Sequence, residues 1–181
     1  MTLVSEIMTS DVSSVTPEMT LREALEALRG RNVGGAPVVR GAEVVGVLSA
    51  ADILELEATA PAVPAFREDQ AEWSDWGEPE PWREGESPPR FFLDFWVDAG
   101  ADARERIGRT EGPEWDFLAD YTVSEVMSRK LLGVGPGEDV RVAAARMSEA
   151  AVHRLLVLEE GRLVGVLSAS DVVDAVANGK L

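Results

Sequence analysis

Val45-Gly46-Val47-Leu48-Ser49-Ala50-Ala51-Asp52 returns 119 residues later as Val164-Gly165-Val166-Leu167-Ser168-Ala169-Ser170-Asp171. Outward from this stretch the match never breaks, and residues 4 to 56 superimpose on residues 123 to 175 at that one offset without a gap. Val4-Ser5-Glu6-Ile7-Met8 is mirrored by Val123-Ser124-Glu125-Val126-Met127, and Val15-Thr16-Pro17 by Val134-Gly135-Pro136. Two copies of one unit predict a pseudo-two-fold domain with a cleft, or a pair of clefts, where the units meet.

Each copy has legible periodicities. Thr20-Leu21-Arg22-Glu23 has the capping-box pattern, and Leu21, Ala24, Leu25 and Leu28 follow at helical spacing, so an amphipathic helix is expected with Gly30 at its end. In the second copy Asp139 takes the cap, followed by Val140, Ala143, Ala144 and Met147. Two β-branched runs come next, Ala36 to Val39 and Val44 to Leu48, separated by Arg40-Gly41-Ala42-Glu43, which reads as a hairpin. Ser49 then opens a helix from Ala50 to about Glu57. Each copy is therefore strand, helix, strand, strand, helix. Such short helices cannot cover a sheet face, so the copies are expected to pack sheet against sheet in an α/β (α+β) domain.

Composition narrows the function. With 181 residues and 45% apolar content the chain can bury a core. No cysteine is present, and His153 is the sole histidine, so neither a disulfide framework, a thiol nucleophile nor a Cys/His metal site is expected. A net charge of −16 argues against nucleic acid as a partner. No apolar run approaches the roughly 20 residues of a membrane helix, and the first residues lack a secretory pattern, so a cytoplasmic location without membrane contact is expected.

The charge is uneven. Residues 57 to 121 hold seventeen Asp and Glu against six Arg, together with every aromatic residue of the chain. The expected division is repeat one at 1–57, an acidic, aromatic-rich insertion at 58–121, and repeat two at 122–181. Such aromatic density does not suit a disordered linker. Phe91 to Val97 is expected to fold back and be buried on the repeats, whereas Trp73, Trp76 and Trp82 are candidates for an exposed docking surface toward a protein partner or a twin subunit.

The ordered set V-x-x-h-M, V-x-P, L-x-x-A-L, P-V-V and V-G-V-L-S-x-x-D of the first repeat, of which V-x-x-h-M, V-x-P and V-G-V-L-S-x-x-D return in register in the second, resembles the cystathionine-beta-synthase (CBS) domain. Two in one chain resemble the pair called a Bateman module. The second copy, with Val152-His153-Arg154, also resembles adenylate-sensing repeats of the gamma subunit of AMP-activated kinase. The resemblance implies binding of an adenosine-containing ligand (AMP, ADP, ATP or S-adenosylmethionine) without chemistry on it and with no cofactor. It also implies a homodimer.

In that family the Ser of S-x-x-D contacts phosphate and the Asp holds the ribose hydroxyls, while the partner repeat encloses the adenine. The residue chemistry suits these roles, since a carboxylate accepts from vicinal hydroxyls and a helix N-terminus favours an anion. The same Ser-x-x-Asp is equally an ordinary helix cap. By resemblance, cleft one combines Ser49 and Asp52 with Leu131, Leu132, His153 and Arg154, and cleft two combines Ser168 and Asp171 with Val12, Ser13, Val33, Gly34 and Gly35. His153 and Arg154 assign the phosphate tail to cleft one, leaving adenosine or S-adenosylmethionine for cleft two. On this reading Asp52→Ala weakens nucleotide binding more than Asp171→Ala. Gly46 and Gly165 are expected to let a ligand approach the backbone.

No catalytic constellation is present: His153 has no nucleophile placed beside it by a local motif, and neither G-x-x-x-x-G-K-[ST] nor G-x-G-x-x-G occurs. A non-catalytic sensor that signals occupancy to a partner is the leading expectation. A ligand-free dimerisation and docking protein acting through its insertion is the alternative.

Overall fold

The computed structural model describes residues 1–59, 78–93 and 117–181. In the first repeat a short 3-10 turn at Val4–Glu6 precedes helix α1 (Leu21–Gly30), strands β1 (Gly35–Arg40) and β2 (Glu43–Ser49), and helix α2 (Ala50–Thr59). The second repeat runs α5 (Val123–Val126), β4 (Lys130–Leu131), β5 (Gly133–Val134), α6 (Val140–Glu149), β6 (Arg154–Glu159), β7 (Arg162–Ser168) and α7 (Ala169–Ala177). From the insertion come β3 (Glu80–Pro81), α3 (Arg90–Leu93) and α4 (Phe117–Asp120).

The expected caps form. Thr20 accepts from the Glu23 amide while Glu23 reaches back to the Thr20 amide, and Asp139 accepts from the Arg141 amide. Leu21, Ala24, Leu25 and Leu28 are buried on one face of α1, and Val140, Ala143 and Met147 on one face of α6. Gly30 stays helical, and the left-handed residue that turns the chain is Asn32, matched by Ala151 in the second repeat. The predicted first strand of each repeat shrinks to a bridge, Val15 to Val38, or to the two residues of β5 paired with β6.

The two hairpins are not separate sheets, although their apolar residues share a core, Val44 and Val47 with Leu155 to Val157 and Leu167. They meet at their tips, where Glu43 pairs with Arg162, giving one five-stranded sheet in the order β1-β2-β7-β6-β5. The larger part of the union is an exchange of N-terminal segments. Thr9 and Val166 trade both backbone hydrogen bonds at 2.9 Å, and their counterparts Ser128 and Val47 do the same at 2.8 and 2.9 Å. Val4 donates to the Glu138 carbonyl at 2.9 Å, and Val123 to the Met19 carbonyl at 2.8 Å. The segment that opens each repeat is thus hydrogen-bonded into the other.

This exchange explains two glycines. A Cβ on Gly46 would lie 2.8 Å from both Met127 Sδ and the Ser128 carbonyl oxygen, and one on Gly165 would lie 2.7 Å from Met8 Sδ and 2.9 Å from the Thr9 carbonyl oxygen. The close approach expected for a ligand is made by the partner repeat instead. Gly46→Ala and Gly165→Ala should each cost about 1–3 kcal/mol through overpacking against backbone, measured by urea denaturation. Gly137→Ala, where an added Cβ meets nothing within 4 Å, serves as the control; equal effects of all three would refute the close-packing role.

Candidate functional site

Each Ser-x-x-Asp forms a closed cap at a helix start. Ser168 donates through its amide and its hydroxyl to Asp171 Oδ2 at 2.7 and 2.6 Å, and the Asp171 amide donates to Ser168 Oγ at 3.3 Å. Ser49 and Asp52 repeat this at 2.8, 2.8 and 3.3 Å. The capping role is therefore filled in both copies. All bonds to the Asp171 carboxylate run to Oδ2, which leaves Oδ1 without a hydrogen bond among the described residues.

The surroundings of the two caps differ. Ser168 and Asp171 line an open cavity of about 250 Å³ with Thr9, Asp11, Val12, Ser13, Arg31, Val33, Gly35, Pro37, Val166, Phe91 and Arg154. Six of the seven residues expected for cleft two meet here; Gly34 is outside the lining and its carbonyl accepts the Ala50 amide at 2.9 Å. Arg154, assigned by the sequence reading to cleft one, is instead part of this cavity. The register explains it: Arg154 is the direct strand partner of Ser168. Arg31 and Asp11 are additions that the sequence reading missed. They form an exposed ion pair at 3.1 Å, of the kind worth little in stability. Position-by-position comparison of the copies would have singled them out, because their counterparts are Ala150 and Lys130.

Ser49, by contrast, is wholly buried. Around the remaining cleft-one residues the insertion closes in. β3 adds to β4 in parallel, pairing Glu80 with Lys130 and Pro81 with Leu131, and the Trp82 amide donates to the Leu131 carbonyl at 3.0 Å. Leu132 is buried in a cluster with Phe91, Phe92, Val47 and Leu156. The His153 amide donates to the Phe92 carbonyl at 2.8 Å. His153 also lines a separate hollow of about 510 Å³ with Met147, Val152, Ala169 and Val172.

Phe91 and Phe92 meet edge to face with centroids 5.0 Å apart, and the Arg154 guanidinium lies 5.2 Å from the Phe91 centroid. Gly35 makes room for that ring, since a Cβ there would lie 3.1 Å from it and 2.6 Å from the Leu48 carbonyl oxygen. Lys130 holds Glu86 at 3.1 Å, and this hydrogen bond, with that from the Arg83 amide, keeps the Glu86 carboxyl below the usual range. A depressed carboxylate contributes stability above its unfolded pKa and loses it as pH falls through the folded one, so this clasp weakens on acidification.

Of the segment Phe91 to Val97 expected to be buried, Phe91 and Phe92 are buried, whereas Leu93 is exposed. Trp82, expected to be exposed, packs half-buried on the core, with its indole N–H donating to the Glu86 carbonyl at 2.9 Å. Trp73, Trp76, Phe95, Trp96 and Val97 lie outside the described residues.

The sequence profile of the CBS domain matches twice, at residues 4–58 and 123–178, more than half the chain. The chain belongs to the CBS domain family. Solved CBS structures share the fold. A structure of CBSX2 in complex with AMP is 22% identical, covers 99% of this chain and 98% of its own, and superimposes with a TM-score of 0.60. The CBS domain pair of protein MJ0100, in complex with 5'-methylthioadenosine and S-adenosyl-L-methionine, is 17% identical over 99% of this chain and 98% of its own (TM-score 0.57). The CBS domain of a CBS domain containing membrane protein from Sphaerobacter thermophilus is 20% identical over 95% and 86% (TM-score 0.59). No curated protein matched the sequence. Among the described residues no helix is long and apolar enough to cross a membrane.

The unequal surroundings of the two caps give a stability test. Ser168→Ala, at a half-buried cap, should cost about 1 kcal/mol. Ser49→Ala, which removes two hydrogen bonds made by a wholly buried hydroxyl, should cost more, about 2–3 kcal/mol. Equal denaturation midpoints would mean that the first cleft is not closed around Ser49.

Proposed function

We propose that the chain is a non-catalytic regulatory module that binds one class of ligand, an adenosine nucleotide, in the cavity beside Ser168 and Asp171 and signals its occupancy to a partner. The observation that carries this reading is the company this cap keeps: an unused carboxylate oxygen, an apolar wall and two guanidinium groups around one opening. Asp171 Oδ1 accepts from a ribose hydroxyl, Val12, Val33, Pro37 and Val166 enclose the base, and Arg31 and Arg154 meet the phosphate beside the α7 N-terminus. The adenosine-bearing ligands of the CBSX2 and MJ0100 structures support the ligand class. A volume of about 250 Å³ is below the roughly 300–1,000 Å³ of most small-molecule clefts, so much of the ligand stays in solvent.

Signalling then follows from differential affinity, because ligand can shift the arrangement of two repeats (1–57 and 122–181) or two subunits only by its preference between them. Val142, Val173 and Val176, exposed on α6 and α7, support a homodimer as the receiving assembly. The ligand-free docking alternative is less favoured, since Trp82, Phe91 and Phe92 of the insertion turn inward.

In a thermal-shift screen AMP, ADP or ATP should stabilise the protein selectively over GTP, by roughly 2.7 kcal/mol at 100 times the dissociation constant. Asp171→Ala should abolish the shift, reversing the order expected from sequence alone, and Arg154→Gln should weaken AMP and ATP at least tenfold more than adenosine. Failure of every adenosine compound to shift the wild-type protein at millimolar concentration would refute the reading.

A further inference from the structure

The two repeats are related by one offset, so whatever lines the open cavity in one register has a counterpart in the other. The counterparts of Asp11 and Val12 are Lys130 and Leu131, those of Val33 and Gly35 are Val152 and Arg154, and that of Arg154 is Gly35. In the structure Lys130, Leu131, Arg154 and Gly35 among these are met by the insertion. Lys130 and Leu131 pair with Glu80 and Pro81, and Lys130 Nζ binds Glu86 at 3.1 Å. The Leu131 carbonyl takes the Trp82 amide, and the His153 amide, next to Val152, gives its hydrogen bond to Phe92. Arg154 and Gly35 hold the Phe91 ring between them.

We infer that residues 80–93 are a built-in occupant of the first inter-repeat cleft, seated by backbone bonds to Leu131 and His153 and by two buried phenylalanines, so that each chain offers a single ligand site. The apolar part is strong. Phe92 is completely buried and Phe91 nearly so, and burial of two aromatic rings is a large apolar contribution. The seat is also specific. Gly35 has no Cβ where Phe91 lies, and β3 pairs with β4 as a two-stranded sheet of its own. Pairing by strand addition gives the segment a register, and the Glu86–Lys130 ion pair fixes its turn. A small molecule entering this cleft has to displace all of these together.

The inference rests on the proposed ligand reading for what the first cleft would otherwise hold, and titration calorimetry with ATP separates the two. Wild-type protein should bind one ATP per chain, Asp52→Ala should retain that stoichiometry with affinity changed less than threefold, and Asp171→Ala should lose it. Two ATP per chain, or loss of a bound ATP on Asp52→Ala, would overturn the built-in occupant. If wild-type protein binds no ATP, the ligand reading fails, and the occupant is judged on a chain whose residues 80–93 are replaced by a Gly-Ser segment of equal length. Gain of one site that Asp52→Ala removes would support it, and no gain would overturn it. Should the replaced chain not fold, the Trp82→Ala/Phe91→Ala double variant takes its place under the same two outcomes.

Discussion

The structure depends on the exchange in which the opening segment of each repeat completes the hairpin of the other. Thr9 locks onto Val166 and Ser128 onto Val47, each pair by two backbone hydrogen bonds. Because both exchanges are mutual, neither repeat has a full set of backbone partners alone, and buried amides and carbonyls left open would each cost of the order of 1–3 kcal/mol. The pair therefore folds as one body. Glycine at 46 and 165 is a condition of that exchange, since any side chain there would hold the two backbones apart. The clefts are its consequence, opening beside the exchanged segments where the strand of one repeat ends and its capped helix begins.

Symmetry of that kind would give two equal clefts, and the insertion breaks it. One strand pair, one tryptophan and two phenylalanines are placed against Leu131, His153 and Gly35, while the corresponding surface of the other cleft carries Arg31 and Arg154 in an open cavity. The difference is written in side-chain size as well as charge. Where one copy has His153-Arg154 the other has Gly34-Gly35, and the ring of Phe91 lies against the glycine. Arg154, Gly35 and Phe91 take part in both features, since the ring lies against the glycine and near the guanidinium and all three line the open cavity. The insertion thus supplies part of the open cavity's wall through Phe91.

Much of this was legible in the sequence, and the part that was not has a physical reason. Repeats reveal whatever the copies share: the capped helices from Thr20 and Asp139, the hairpins, and the Ser-x-x-Asp turns at 49 and 168 all appear where the pattern puts them. The exchange of N-terminal segments is a relation between copies, and no local pattern encodes which hairpin Met8 or Met127 will meet. The same holds for Gly46 and Gly165, whose need for space was visible while the neighbour that fills it was not. Arg154 was expected beside Ser49 and Asp52, whereas it lines the cavity of Ser168 and Asp171, because resemblance supplies a pairing of repeats and not the strand register that sets Arg154 opposite Ser168. The insertion has no periodicity to read, so its aromatic content indicated burial without indicating where.

The central claim is the inequality of the two clefts, and a crystal structure of the full chain grown with ATP tests it most directly. The account predicts the nucleotide beside Ser168 and Asp171, with the Phe92 carbonyl still on the His153 amide in the same molecule. Nucleotide beside Ser49 and Asp52, with residues 80–93 displaced, would contradict it.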